Sequence, residues 1–387
     1  SEKSDLLNIA GIIFFVIFIL SFYAGTSYYI GHKLLECFIF LFPYIDKKIF
    51  ISAYCFIALS AIFVFLPLPT RIKRIISWSG SHWMGIYIYL LLLFPIADIV
   101  LSFLGLIRVI PAPIPQSIRF LAGGAVIVVT FAMVIYGIYN AKQIKHVSYH
   151  VQTKEMLLAD QFRIVLISDI HLGAVNSEKN LSKIVHNINV LKPDIVCIAG
   201  DIFNDDYNSI LDPEEAVGLL KSISATYGVY ASLGNHDGGK TFDQMLGFLE
   251  RSNIELLKDE HVIIAEQLCL IGRVDSSPIG GFKGLKRKDI SEIIAPIDKN
   301  MPIIVMDHTP SNFEQYGSEF ALVLAGHTHK GQIFPFNLIT SAIFALDYGY
   351  CRQENGGPDL VVASGVGTWG MPMRVGTNNE IVSIILR

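Results

Sequence analysis

The sequence predicts a chain in two parts: an N-terminal α-helical transmembrane region, residues 1–145, and an α/β domain, residues 146–387, whose sheet is layered with helices. Three observations carry this. Hydrophobic residues are 52% of the 387 and charged residues only 17%, too apolar for an ordinary soluble protein. The excess is confined to residues 1–140, which hold several nearly uncharged apolar runs. From Gln161 onward, short apolar runs alternate with helical patterns, and each run ends in a polar cluster. That alternation marks an α/β sheet with its functional loops at strand ends, and the length suits two or three domains.

Four stretches are long enough to cross a hydrocarbon core, which takes about 20 apolar residues in a helix: residues 9–30, 49–66, 83–107 and 118–139. Residues 34–45 are apolar but shorter and closed by Pro43, so they are expected to form an interfacial helix. The first run is too long for a cleaved signal peptide and lacks a small-residue cleavage site. Four crossings place the N-terminus, the middle loop with Arg71, Lys73 and Arg74, and the C-terminal domain with Lys142 and Lys145 on one side. The other side carries Lys33, Lys47, Lys48, Arg108 and Arg119, a close count. The positive-inside rule slightly favours the first side as cytoplasmic, and five cysteines lacking any ligand or disulfide spacing lean the same way. The expected location is therefore the inner membrane, multi-pass. Asp98 lies inside the third span, with no acid, His or Lys in the spans to pair with it, and reads as a structural or water-facing residue rather than part of a transport path. A formal net charge of −4 argues against a general nucleic-acid binder.

In the C-terminal half the apolar run 164–167 leads into Asp169-Ile170-His171. Ile195–Ala199 leads into Gly200-Asp201, and 228–233 into Gly234-Asn235-His236-Asp237. Ile303–Met306 leads into Asp307-His308, and 321–325 into Gly326-His327-Thr328-His329. Helical patterns fill 181–191, 213–223 and 242–250. Side chains alternate across a strand, so Asp169 and His171 are expected to project together. Any one cluster has a bland reading as a turn or a surface loop; five at strand ends in one domain do not. Carboxylates, imidazoles and an Asn oxygen, with no thiolate, suit Mn²⁺, Fe, Zn²⁺ or Mg²⁺. The glycines before Asp201, Asn235 and His327 are expected to let the backbone turn tightly so that these side chains converge.

In this order the motifs resemble the calcineurin-like metallophosphoesterase superfamily, from about residue 162 to the C-terminus. Gly365-Val366-Gly367-Thr368, Pro372-Met373-Arg374, the linker Tyr136-Gly137-Ile138-Tyr139-Asn140-Ala141 and the membrane anchor resemble a membrane-associated bacterial branch of it. The resemblance implies an αββα sandwich and two divalent metal ions, Mn²⁺ first among the candidates. It implies that Asp169, His171 and His329 hold one metal, that Asn235, His308 and His327 hold the other, and that Asp201 bridges them. His236 is then expected beside the scissile phosphate as a catalytic acid, with Asp237 orienting it. The sequence departs from the branch at Asp307, an acceptor for a ligand imidazole or a solvated acid, and at Lys330, which reaches a substrate phosphate or lies on the surface.

Further substrate contacts are expected from Arg374, read as a phosphate ligand or a structural ion pair. The basic loop 280–288, with Lys283, Lys286 and Arg287, is a clamp for a diphosphate or anionic headgroup, or a solvated loop. The apolar stretch 333–344 after His329 is core, or a contact for membrane lipids or an amphiphilic substrate. These features predict a metal-dependent hydrolase of a phosphoester or pyrophosphate bond in a lipid-linked substrate. Some relatives in the superfamily cleave UDP-2,3-diacylglucosamine to lipid X and UMP in lipid A biosynthesis, and that is the first specific expectation. The alternatives are other phospholipids, polyprenyl phosphates or nucleotides, and, in another class, a receptor or transporter with a regulatory metal domain. The oligomeric state is left open.

Overall fold

A computed structural model describes residues 2–66, 68–153, 161–298, 300–353 and 356–387, with side chains from residue 11 onward. The side chains that open the expected first span, at residues 9 and 10, lie outside that description. The chain divides into two compact units, Ser1–Ile135 and Tyr136–Arg387.

The first unit is helical: α1 (Glu2–Leu41), α2 (Lys47–Phe63), α3 (Thr70–Leu106) and most of α4 (Gln116–Asn140). Among the described residues three segments are long and apolar enough to cross a membrane: Gly11–Leu41, Thr70–Leu106 and Gln116–Asn140. The expected span 49–66 is the exception. Helix α2 has 17 residues, and at about 1.5 Å per residue it falls short of a core roughly 30 Å thick. The separate interfacial helix at 34–45 is also corrected. Helix α1 runs unbroken to Leu41, because nothing before Pro43 removes a donor or clashes with the preceding turn. Arg71, Lys73 and Arg74 open α3 instead of lying in a loop.

The longer α1 overturns the reading of Asp98 as unpaired. It carries Lys33 and Tyr29 within the helix, and its packing against α3 brings them to the acid. Lys33 Nζ lies 2.6 Å from Asp98 Oδ1, and the Tyr29 hydroxyl donates to Oδ2 at 2.5 Å. A neutralised, hydrogen-bonded acid is a structural element rather than an isolated relay group.

The second unit holds twelve strands among the described residues. The first sheet, in the order β1-β12-β2-β3-β4-β5, comprises β1 (Ile144–Val151), β2 (Phe162–Ile167), β3 (Ile195–Ala199), β4 (Val229–Ser232), β5 (Glu255–Leu256) and β12 (Asn379–Leu386). The second, in the order β10-β11-β9-β8-β7-β6, comprises β6 (Glu260–Ile264), β7 (Leu268–Gly272), β8 (Ile303–Met306), β9 (Leu322–Ala325), β10 (Gly349–Cys351) and β11 (Asp359–Val362). Strands β2 to β5 pair in parallel, as do β7, β8, β9 and β11. Crossovers carry α5 (Glu178–Val190), α6 (Pro213–Lys221), α7 (Phe242–Arg251) and α8 (Ile290–Ile294), and α9 (Phe336–Ile343) follows β9.

Burial on both faces explains why these strands read as apolar runs rather than alternating ones. In β2, Ile164 and Leu166 pack between the sheets with Leu270, Ile304 and Leu324. Their neighbours Val165 and Ile167 point the other way, against Leu181 of α5 and Phe248 of α7. The outer face of the second sheet is covered by Ile293 and Phe320. The result is the αββα sandwich, in which parallel strands bring their C-terminal loops to one edge. The last turn of α4 belongs to this unit. Asn140 Nδ2 donates to the carbonyls of Arg374 and Thr377 at 3.0 and 2.8 Å, and Arg374 N donates to Gly137 O at 2.9 Å. A Cβ on Gly137 would sit 2.9 Å from Val375 Cγ2, so only glycine allows that approach.

Candidate metal centre

The loops after β2, β3, β4, β8 and β9 converge at this edge and bring all seven expected ligand residues together. Asp169, His171 and His329 offer atoms within 4.8 Å of one another, and so do Asp201, His308 and His327. His171 Nε2 faces His329 Nε2 at 3.1 Å, and His329 Nε2 lies 3.4 Å from Asp169 Oδ1. On the other side Asn235 Oδ1 is 2.9 Å from His327 Nδ1 and 3.2 Å from His308 Nε2. Asp201 Oδ2 stands between, 3.7 Å from His171 Nε2 and 3.1 Å from His308 Nε2.

The convergence does not come from strand alternation, as the sequence suggested. Strand β2 ends at Ile167, and the ligand residues take left-handed backbone: Asp169 (φ 55°), His171 (49°), Asp201 (53°), His327 (71°) and His329 (50°). Non-glycine residues rarely adopt it, and the cost of about 1–3 kcal/mol each is met only where surrounding structure imposes it, typically at functional sites. The glycines also act differently from expectation at two positions. A Cβ on Gly234 would lie 2.2 Å from Asp201 Oδ1, and one on Gly326 2.4 Å from Asp169 Oδ2. They are required for close approach of neighbouring loops, whereas Gly200 (φ 78°) is required for its backbone turn.

The donor set fits divalent cations. Ligand atoms bound at about 2.0–2.2 Å lie within roughly 4.4 Å of each other, and a spread within 4.8 Å is close to that spacing. Burial pushes His171 down to about 3 and His327 to about 4, and burial with the Arg374 guanidinium holds His329 well below its usual value. Neutral imidazoles keep the lone pairs a metal needs. Burial also opposes a charge on His308, but the carboxylates of Asp201 and Asp169 outweigh it and hold this group well above normal. The cluster demands positive charge at its centre. His308 Nδ1 is 2.7 Å from Ala199 O, which turns Nε2 towards Asp201.

Residues 162–331 match the family model described as calcineurin-like phosphoesterase. These residues form a calcineurin-like phosphoesterase domain. That domain is a metal-dependent phosphohydrolase. An uncharacterized metallophosphoesterase of Campylobacter jejuni is 28% identical over 90% of this chain and 94% of its own length. A zebrafish transmembrane protein with metallophosphoesterase domain is 28% identical over 67% of this chain and 62% of its own length. An uncharacterized metallophosphoesterase of Aquifex aeolicus is 28% identical over 66% of this chain and 98% of its own.

In the metallophosphoesterase domain several expected roles fall to other residues. Asp237 does not orient His236. It is fully buried, accepts from Phe203 N at 2.9 Å and Gly234 N at 2.8 Å, and so staples two ligand loops. Burial and the Asp201 charge push it up to about 7. The partner of His236 is Asp205, whose Oδ1 lies 2.7 Å from His236 Nδ1. Burial pulls His236 down, but that hydrogen bond and the charges of Asp201, Asp205 and Asp237 leave it above normal. Sequence reasoning missed Asp205; its only signal is a polar cluster, Asn204-Asp205-Asp206, just after Asp201. The rings of Trp369 and His171 lie 5.8 and 5.2 Å from His236.

The expected substrate contacts are corrected as well. Arg374 is 0% exposed and donates to the carbonyls of His329, Ser364 and Gly367 at 3.0, 2.7 and 2.7 Å. It supports His329 from behind and does not face a phosphate. Lys330 Nζ sits 4.0 Å over the Tyr348 ring. Lys283 pairs with Asp243 on the surface, and Lys286 is exposed on the same loop. Arg287 reaches inward to Asp307, at 3.1 and 2.6 Å, and Asp307 also accepts from Tyr316. Asp307 therefore holds the basic loop to β8 instead of a ligand imidazole, and the clamp loses its arginine. Arg287→Ala is expected to destabilise the domain by about 1–3 kcal/mol, since it strands a buried carboxylate; thermal denaturation measures it, and an unchanged midpoint counts against this role.

Proposed function

We propose that this protein hydrolyses a phosphoester or pyrophosphate bond of a lipid-linked substrate, using two divalent cations at the membrane surface. The observation that carries the reading is the pair of ligand groups sharing one carboxylate, Asp201. Asp169, His171 and His329 would hold one cation, and Asn235, His308 and His327 the other, with Mn²⁺ the first to test. When bound, such a pair stabilises charge on phosphoryl oxygens and supplies a water of lowered pKa. The chain's own contribution is positioning and proton transfer. His236, raised by Asp205, carries a proton to the leaving oxygen, and its backbone N–H donates to Asp201 Oδ1 at 2.8 Å, tying the acid to the shared ligand.

The lipid-linked class is supported by the membrane-length helices of the chain and by relatives named transmembrane. UDP-2,3-diacylglucosamine is one member of that class, and other phospholipids and polyprenyl phosphates belong to it too. We place the domain on the cytoplasmic face of the inner membrane. The start of α3, with Arg71, Lys73 and Arg74, and the segment that follows α4, with Lys142 and Lys145, emerge on one side if both helices cross. Arg108 and Arg119 mark the other. With α2 not crossing, Lys47 and Lys48 join the first side, and the positive-inside rule favours that side as cytoplasmic.

The test is hydrolysis by detergent-purified protein with Mn²⁺, read by mass spectrometry, on UDP-2,3-diacylglucosamine, on phospholipids and on a soluble aryl phosphodiester. Chelator-sensitive turnover restored by metal is expected, with the lipid substrates preferred. Hydrolysis of none of them rules the reading out. Asp205→Asn is expected to lower kcat by about 10²-fold with KM nearly unchanged, the low end for loss of general acid catalysis; an unaltered kcat removes Asp205 from the mechanism.

A further inference from the structure

Helix α9 sits on the metallophosphoesterase domain the wrong way round for a surface helix. None of its eight residues is buried. Leu338, Ile339 and Ile343 are 58%, 53% and 69% exposed, and Phe334 just before it 48%. Its polar Thr340 turns inward instead, donating to Asp347 Oδ2 at 2.8 Å. No charged residue occurs from 333 to 344. An uncharged apolar surface of this kind is stable only against another apolar phase.

Its neighbours identify that phase. Phe334 N donates to Val375 O at 2.8 Å, and Val375 is the residue that packs on Gly137 in the last turn of α4. The patch and the C-terminal end of a membrane-length helix are thus fastened to one short segment, 373–377. The tyrosines of that turn, Tyr136 and Tyr139, are exposed, the residue type that settles at membrane interfaces. The patch is also joined to the metal centre. Gly331, two residues after His329, approaches the α9 backbone so closely that a Cβ would lie 2.2 Å from Asn337 N, and the Phe344 ring stands 6.0 Å from that of His327.

We propose that α9 and Phe334 bed into the interfacial layer of the bilayer, so that the metal centre opens towards lipid headgroups and takes phosphates in the plane of the membrane. This deepens the lipid phosphohydrolase reading above and rests on it. The full-length protein, with Cys55 and Cys351 changed to serine, is reconstituted in phosphatidylcholine and phosphatidylglycerol vesicles. An environment-sensitive fluorophore is placed in turn by Leu338→Cys, Ile343→Cys and, as a control on exposed α7, Glu250→Cys. The first two labels are expected to emit at shorter wavelength and to be quenched by nitroxide-bearing lipid but not by iodide; the control shows the reverse. Labels at 338 and 343 quenched by iodide like the control overturn the proposal. So do labels shielded from both quenchers, which would mean that protein, a second copy included, covers the patch. Metal-dependent hydrolysis of the soluble diester by the same preparations reports on the catalytic reading separately, so either can fail without the other.

Discussion

Asp201→Ala is expected to abolish metal-dependent hydrolysis, by on the order of 10³-fold or more in kcat, because it acts on both ligand groups at once. Changing an outer partner of a metal ligand typically costs about 10–100-fold, and removing one electrostatic contact to a transition state about 10²–10³-fold. Asp201 lies within 3.7 Å of His171 Nε2 and 3.1 Å of His308 Nε2, and its other oxygen accepts from His236 N. Its loss removes a shared ligand, frees His308 from the charge that holds its pKa up, and unties the catalytic acid. Bound metal, counted by elemental analysis, should fall together with the rate while circular dichroism is retained. A variant within tenfold of the parent at saturating Mn²⁺ would show that the two groups do not share this carboxylate.

The second large effect is on stability. Arg374→Ala is expected to cost about 3–5 kcal/mol, the range for removing one member of a buried charged network. Burial pushes the guanidinium down to about 10, yet at neutral pH it remains charged, held by the carbonyls of His329, Ser364 and Gly367. Those acceptors belong to two loops, one after β9 and one after β11, and alanine leaves the carbonyls of Ser364 and Gly367 without this donor. At about 2–4 °C per kcal/mol for a domain of this size, the midpoint should fall by roughly 10 °C. Arg374→Lys should recover only part of this, since one ammonium cannot reproduce the planar fork. A variant of unaltered stability with a raised KM would instead return Arg374 to substrate binding.

The two expectations differ in how far the sequence alone could reach. The seven candidate ligand residues were readable because each sits after an apolar run, and a strand buried on both faces can hardly be written in any other composition. The αββα layering follows from the same runs and the helical patterns between them. The direction of each long polar side chain was not readable. Arg287 and Arg374 look alike in sequence to surface cations, and only the fold decides that one meets Asp307 twenty positions away and the other turns into carbonyls.

The acid beside His236 makes the same point at closer range. Asp237 is adjacent in sequence, but the left-handed loops and the close approach at Gly234 direct it to Phe203 N and Gly234 N, leaving His236 to Asp205 from the loop after β3. In the helical unit, Asp98 found Lys33 because α1 does not stop where its apolar run weakens. Hydrophobic pattern is a local property of the chain, and so the sequence by itself determined the apolar helical region, the α/β domain and the candidate ligand residues that follow its strands. Pairing between polar groups depends on which loops meet, a long-range property that only the tertiary structure decided.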